Sequence, residues 1–532
     1  MAQPSETCIV LRHLADLPEA LRIHEQMDRP SAFVCLSPQV LFTLKKELGG
    51  RASIRSIWEY ADYEKISAVL DDLWFGLSRL TQESPRSLIH NLAHSLFVFS
   101  YELIASENAV QSMLLKDRPA GIILFSPAKP YPVIPPVYKR EDRDCTLEFC
   151  LRHHCRKAGI SLTVLQTRVK PPDPPDSFRR TGRISDKAAF LLSRARGLWN
   201  LAKTALFRKP YVLAYGSMID YVNILPHMKE LGGGVNALCV GWLSDELFSR
   251  HRSEIDRGMI TPRDFEILGL FDMSGARRKF DRDLSDYFQS LSDRYSIAPD
   301  HPVLNRQKRF ILKSLVPQAV RFSTGLRRFV RHSRPRAFVT ANLLNWLSTL
   351  FLSCAPANAP RICVQHGGFG YVPIPECSES VDAIAVWGEI QKDLVRRSGF
   401  KGVILKDRPP VQYAAGGRAA PPPPLPRPPL SILLCTSAQG EFSTPLWMPE
   451  ETRFSSITAL MDWCEQTPDA SLRIRPHPRF DYRETYRVLI QGRTKSAMVP
   501  DEESLDESVR RASMVCMVGY FSTLLVHAAV CG

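Results

Sequence analysis

The sequence predicts an α/β protein built in two halves, and three observations predict it. Apolar runs of strand length, such as Gly121 to Ser126 and Leu430 to Cys435, recur along the chain and are separated by stretches of helix length. With 532 residues the chain exceeds what a single core supports and suits two or three domains. The stretch from Arg408 to Pro429 includes seven prolines between Pro421 and Pro429 and can form neither a helix nor a central strand, so 408–429 reads as an interdomain connection.

In the first half, Cys8 to Arg12 and Ala32 to Leu36 read as strands around a helix from Pro18 to Met27. A largely helical span runs from Tyr63 to roughly Leu115. Gly121 to Ser126 is a strand, Cys145 to Lys157 a helix and Ile160 to Leu165 a strand, which makes 1–170 a Rossmann-like α/β unit with helical insertions. The helix carries Cys145, Cys150, His153, His154 and Cys155, a set that invites a metal reading. The spacing is C-x4-C-x2-H-H-C and lacks the paired C-x2-C of zinc modules. On one helix these side chains point several ways, so packed cysteines and solvated histidines are expected instead.

Pro171 to Pro175 breaks the chain. The segment 178–209 then holds Arg179, Arg180, Arg183, Lys187, Arg194, Arg196, Lys203, Arg208 and Lys209 against one acid, Asp186. As a helix it aligns Leu191, Ala195, Leu198, Trp199, Ala202 and Leu206 on one face with cations on its flanks. Two readings stay open: a helix lying on anionic lipid, and a surface helix packed on its own domain.

Residues 210–407 form a second α/β unit. Tyr211 to Ala214 and Asn236 to Trp242 are strands, and a polar helical region runs from Ser249 to Val330. Arg336 to Thr340, a helix through Trp346 and Pro360 to Val364 make a β-α-β unit that delivers Gln365, His366, Gly367 and Gly368 to a strand's carboxyl end. Ala383 to Trp387, a helix to Arg397 and Gly402 to Leu405 complete it. In 430–532, Leu430 to Cys435 opens another sheet and Thr436 to Gly440 is its first loop. Leu472 to Arg475 alternates apolar and cationic residues as a strand does, and Pro476 and Pro478 end it around His477. Ser504 and Glu507 form a capping box, and Ser513 to Val518 is a buried strand. Tyr520, Ser522 and Thr523 follow it, at the start of another helix. Hydroxyls and unpaired N–H groups at a helix start suit an anion, and strand carboxyl ends are where open α/β sheets bind ligands.

Composition agrees with such a protein. Hydrophobic residues make up 44% and charged residues 23%, as in a folded globular chain. The 69 basic residues outnumber 55 acidic ones, and the net charge of +14 favours phosphate, anionic lipid or nucleic acid. The basic runs lack interleaved aromatics or a reading motif, so nucleic acid is not expected. Thirteen scattered cysteines, several in apolar runs, suit buried thiols in a reducing cytoplasm. The amino terminus lacks the pattern of a signal peptide, and no run is apolar enough to span a bilayer, so any membrane contact is expected to be peripheral.

The order strand, His477-Pro478, helix, strand, Ser522-Thr523 resembles the donor-binding domain of GT-B glycosyltransferases of bacterial surface polysaccharides. Among them the CMP-sialic acid and CMP-Kdo transferases are similar, as are the CDP-glycerol glycerophosphotransferases. Val364 to Gly368, and Ala385 to Glu389 with the helix after it, agree with that likeness, which covers roughly residues 335–532.

The resemblance implies two facing Rossmann-like domains and metal-independent transfer of a sugar from a nucleotide-sugar donor to a capsule- or lipopolysaccharide-type glycan acceptor. It implies no cofactor, the nucleotide sugar being the substrate. Gly440, Arg475, His477, Pro478, Tyr520, Ser522 and Thr523 would then bind the donor. His366, whose ordinary pKa near 6.5 suits proton abstraction, would be the general base or orient the acceptor beside Gln365, Gly367 and Gly368; shaping the glycine turn is its plainer role. Glu389 is the other candidate base, against a simple helix-start acid. His527 stands where such transferases carry an acid for the nucleotide ribose. Relatives of this kind continue beyond the position of Gly532, so a shortened donor domain is expected. Transfer of a polyol phosphate and non-catalytic nucleotide or glycan binding are the alternatives.

Overall fold

The computed structural model describes residues 6–62, 88–126, 140–168, 211–217, 236–242, 274–295, 311–340, 346–364, 381–397, 399–406, 429–436, 450–476 and 483–518, with isolated positions between them. These form three wholly parallel β-sheets with helices against them, the α/β class the sequence predicts.

The first sheet contains β1 (Thr7–Leu11), β2 (Ser31–Cys35), β3 (Ser53–Ser56), β4 (Gly121–Ser126) and β5 (Ser161–Gln166), in the order β3-β2-β1-β4-β5. Every residue of β2 is buried, as a central strand covered on both faces requires. One face of β1 and β2, through Ile9, Leu11, Phe33 and Cys35, packs on α1 (Leu17–Gln26) and α2 (Pro38–Leu48). The other, through Cys8, Val10 and Val34, packs on α3 (Leu88–Asp117) and α4 (Arg140–Ala158).

That second apolar layer continues without a break into the next sheet. This sheet holds β6 (Tyr211–Ser217), β7 (Asn236–Trp242), β8 (Met259–Ile260), β9 (Ala337–Thr340), β10 (Arg361–Val364), β11 (Ala383–Val386) and β12 (Val403–Lys406), ordered β12-β11-β10-β9-β6-β7-β8. Its helices include α5 (Ser274–Tyr295), α6 (Val316–Ser333), α7 (Trp346–Ser353) and α8 (Glu389–Arg397). Burial of Phe322, Leu326, Phe329 and Val330 shows why α6 forms: its apolar residues fall three and four apart, with arginines between them. The turn into β12 is tight. A Cβ on Gly402 would lie 2.5 Å from the Asp382 carbonyl and 2.4 Å from the Phe400 ring.

The third sheet consists of β13 (Leu430–Thr436), β14 (Ala470–Arg475), β15 (Ser496–Met498) and β16 (Met514–Val518), ordered β15-β14-β13-β16. Successive residues of β13 serve opposite faces. Ile432 and Leu434 join Phe454, Ile457 and Met461 of α9 (Glu450–Gln466) and Tyr486 of α10 (Arg483–Ile490). Leu433 and Cys435 join Val509 of α11 (Leu505–Arg510). This unit rests on the first sheet's α2, where the rings of Phe42 and Phe454 meet edge-on at 5.4 Å and Lys46 Nζ donates to Gln491 Oε1 at 2.6 Å. The expected capping box is present: Ser504 Oγ accepts from the Glu507 N–H, and Glu507 accepts from the Ser504 N–H at 2.9 Å.

Among the described residues no helix is long and apolar enough to cross a membrane. Of the basic segment 178–209, Ala195, Trp199 and Ala202 are described; all three are helical and exposed.

Candidate functional site

All three sheets share one topological feature. The chain lays down a strand, adds two more on one side, then returns to pair on the other side of the first. The reversal falls between β1 and β4, between β6 and β9, and between β13 and β16. At such a switch point the loops after the two neighbouring strands diverge to opposite faces and leave a crevice at their carboxyl ends, the usual ligand position in open α/β sheets.

At the carboxyl ends of the first sheet, described polar groups pair with one another. Asp16, fully buried after β1, accepts from Thr167 Oγ1 at 2.6 Å and from the Arg168 N–H at 2.8 Å, both just past β5. Ser126, which ends β4, donates to buried Glu148 at 2.5 Å, and Glu148 also accepts from Arg152 at 2.8 Å.

At the third sheet, three neighbouring strands end in step. Cys435 pairs in register with Arg475 of β14 and with Met517 of β16, and Thr436 pairs with Val518. Neighbouring strands lie about 4.8 Å apart, so these three chain exits fall within about 10 Å of one another. They lead directly into the stretches holding Gly440, His477-Pro478 and Tyr520, Ser522 and Thr523. In the second sheet β10 and β11 are likewise neighbours, and their ends at Val364 and Val386 lead to Gln365, His366, Gly367 and Gly368 and to Glu389. Of the residues the sequence singles out, Arg475 and Glu389 are described. Gln365, His366, Gly367, Gly368, Gly440, His477, Pro478, Tyr520, Ser522, Thr523 and His527 lie outside the described residues.

Arg475 is half-buried, and its Nη1 donates to the Glu503 carbonyl at 2.9 Å, to the Ser504 carbonyl at 3.3 Å and to Ser508 Oγ at 2.8 Å. It ties the start of α11 to the end of β14. Two residues earlier on the same strand face, Arg473 Nη2 meets the Glu503 carboxylate, which also accepts from Arg511 at 3.1 Å. The hydrogen bond from Arg473 holds the Glu503 carboxyl below its usual pKa, against the opposing pull of burial. Cys435 is no nucleophile in waiting, because burial pushes its thiol up to about 12 despite the nearby Arg475.

Glu389 opens α8 with its carboxylate exposed and paired to Lys392 one turn on, at 3.0 Å. This is the geometry of a helix-start acid.

The cysteine- and histidine-bearing helix differs from expectation. Cys150 and Cys155 are buried, as expected, but His154 is not solvated: its Nε2 lies 2.5 Å from Glu107 Oε2. The reason is packing, since this face of α4 lies against α3. Among the described residues, the His/Cys/Asp/Glu group with metal-ligand spacing is Glu107, Cys150 and His301. Sequence reasoning missed Glu107, His301, Glu503 and Ser508. The arginine alternation in β14 signalled a charged face but not the acid that meets it.

No protein-family model matches the chain, and no curated protein does. Among solved structures, S. aureus MnaA with UDP is similar at 11% identity and a TM-score of 0.31, over 58% of this chain and 73% of that one. The UDP-GlcNAc 2-epimerase from Neisseria meningitidis, bound to UDP-GlcNAc, is similar at 8% identity and a TM-score of 0.31, over 58% and 77%. Likeness at this level assigns no activity to the chain.

Proposed function

We propose that the chain is a nucleotide-sugar-dependent glycosyltransferase of GT-B type, with the third sheet holding the donor and the second presenting the acceptor side across a cleft. The observation that carries this reading is the switch point between β13 and β16, with β14, which the His477 stretch follows in sequence, pairing on the other side of β13.

The donor's phosphates sit at the β16 exit. Ser522 and Thr523 hydroxyls and helix-start N–H groups donate to phosphate oxygens, and His477 donates from the β14 exit. As the glycosidic bond to phosphate breaks, negative charge grows on the leaving oxygen, and donors fixed beforehand stabilise it without reorganising. His366 accepts the acceptor hydroxyl's proton as that oxygen bonds to the anomeric carbon. Glu389, exposed and paired to Lys392, is the weaker candidate base. The acceptor is a surface-glycan or glycolipid chain.

Peripheral contact with anionic lipid fits the exposure of Ala195, Trp199 and Ala202. They are spaced as one helical stripe in a segment with nine basic residues and one acid.

His527 in place of a ribose-binding acid favours a second reading, a nucleotide- or glycan-binding protein without turnover. Labelled CMP-, UDP- and CDP-linked donors offered to the purified chain separate the two. Donor hydrolysis or transfer that disappears in His366→Ala supports the transferase. Nucleotide binding without turnover supports the second reading, and transfer of glycerol phosphate from CDP-glycerol points to polyol-phosphate chemistry.

A further inference from the structure

Between α3 and α4, three side chains from distant parts of the sequence meet in the interior. Glu107 comes from α3, Cys150 from α4 and His301 from the connection after α5, and all three are buried. Their candidate ligand atoms lie within 4.8 Å of one another. His301 Nε2 is 2.7 Å from Glu107 Oε1 and 4.0 Å from Cys150 Sγ. His154, one helical turn beyond Cys150, places its Nε2 2.5 Å from the other carboxylate oxygen, which also accepts from Gln111 at 3.0 Å.

Hydrogen bonding satisfies this group only in part. Despite the 2.7 Å approach of His301, buried Glu107 Oε1 has no partner in hydrogen-bond geometry. His301 Nδ1 has none among the described residues, and residues 302 and 303 beside it lie outside them. Buried polar atoms outside hydrogen-bond geometry call for an explanation, here beyond the ion pair that His301 makes with the Glu107 carboxylate.

We propose that Glu107, Cys150 and His301 bind a divalent transition metal of the zinc class, with His154 orienting the Glu107 carboxylate through its other oxygen. Thiolate, imidazole and carboxylate are the ligands zinc takes. In a tetrahedral zinc site such atoms stand roughly 3.3–3.7 Å apart, given bonds of about 2.0–2.3 Å. The 2.7 and 4.0 Å separations lie on either side of that range, and all three ligand atoms stand within 4.8 Å of one another. On binding, the Cys150 thiol releases one proton to solvent and the sulfur bonds the metal. The Glu107 carboxylate and the His301 Nε2 lone pair each add one bond. One thiolate and one carboxylate cancel the 2+ charge, so the closed site is neutral and tolerates burial. The site joins α3, α4 and the connection after α5 where the cores of the first two sheets merge. It is independent of the nucleotide reading.

The test uses the full-length, untagged chain purified without chelator. Elemental analysis is expected to give about one equivalent of zinc-class metal. The stripped protein should take up Co2+ with a thiolate-to-cobalt charge-transfer band, and its Tm should rise on reloading. Cys150→Ser should abolish the band and His301→Ala the stoichiometric metal, while Cys155→Ser, on the same helix but outside the set, should keep both. Wild-type protein that holds no metal, develops no such band and keeps its Tm with Zn2+ overturns the proposal, as does bound metal that persists in Cys150→Ser with an unchanged spectrum. Because the wild-type readouts decide by themselves, a variant that fails to fold does not weaken the test.

Discussion

One guanidinium nitrogen of Arg473 lies 2.6 and 2.5 Å from the two carboxylate oxygens of Glu503, and the pair sits immediately under the edge where β13, β14 and β16 end. Glu503 also presents its backbone carbonyl to Arg475, so one short segment fixes both arginines of the strand. The charged face of β14 is thereby a scaffold for the candidate donor edge.

Removing that acid leaves Arg473 partly buried without its counter-charge. Glu503→Ala is expected to destabilise the chain by about 3 kcal/mol, measurable by denaturant unfolding. The Glu503 carboxyl is held below its ordinary value in the folded state. Its stabilising contribution is therefore complete above the unfolded pKa of about 4.3 and lost as the pH falls through the lower, folded value. The Tm gap between wild type and Glu503→Gln should be constant near neutrality and close on acidification below about pH 4.

Gly402→Ala tests the turn between β11 and β12. Because the new methyl would lie 2.5 Å from the Asp382 carbonyl, backbone must move. Asp382 also accepts from the Arg361 backbone N–H at 2.8 Å and from its guanidinium at 2.6 Å, so the shift disturbs that pair. A loss of about 1–3 kcal/mol is expected in thermal or denaturant unfolding, with no new proteolytic site in 429–518.

The exposed stripe at Trp199, 66% accessible, gives a prediction about lipid. Vesicles rich in anionic lipid should sediment the wild-type chain, more weakly at high salt, and Trp199→Glu should reduce binding at least several-fold. Undiminished binding by a chain lacking 178–209 removes the lipid helix from the account.

Much of the fold was legible because its signals are local. Leu430 to Cys435, Gly121 to Ser126 and the Ser504/Glu507 box carry their periodicity or cap within a few residues. β3, with the sequence Ser-Ile-Arg-Ser, has a single apolar residue and gave no strand signal. α2 carries one, Ser37 followed by Pro38 at the helix start. Partnerships across the fold were not legible at all. Glu107 and His154 are 47 positions apart, and Cys150 and His301 are 151 apart, so only the packing of α3 on α4 and the path after α5 could join them. Likewise Arg475 suggests a phosphate contact, and the structure gives its Nη1 protein partners.

Calorimetric titration of the intact chain with UDP, CMP and CDP, repeated for His477→Ala and Ser522→Ala, tests the nucleotide-binding edge most directly. The account predicts saturable binding of at least one nucleotide, weakened tenfold or more by each substitution while the unfolding midpoint holds. Absence of binding to all three, or binding indifferent to both substitutions, would contradict it.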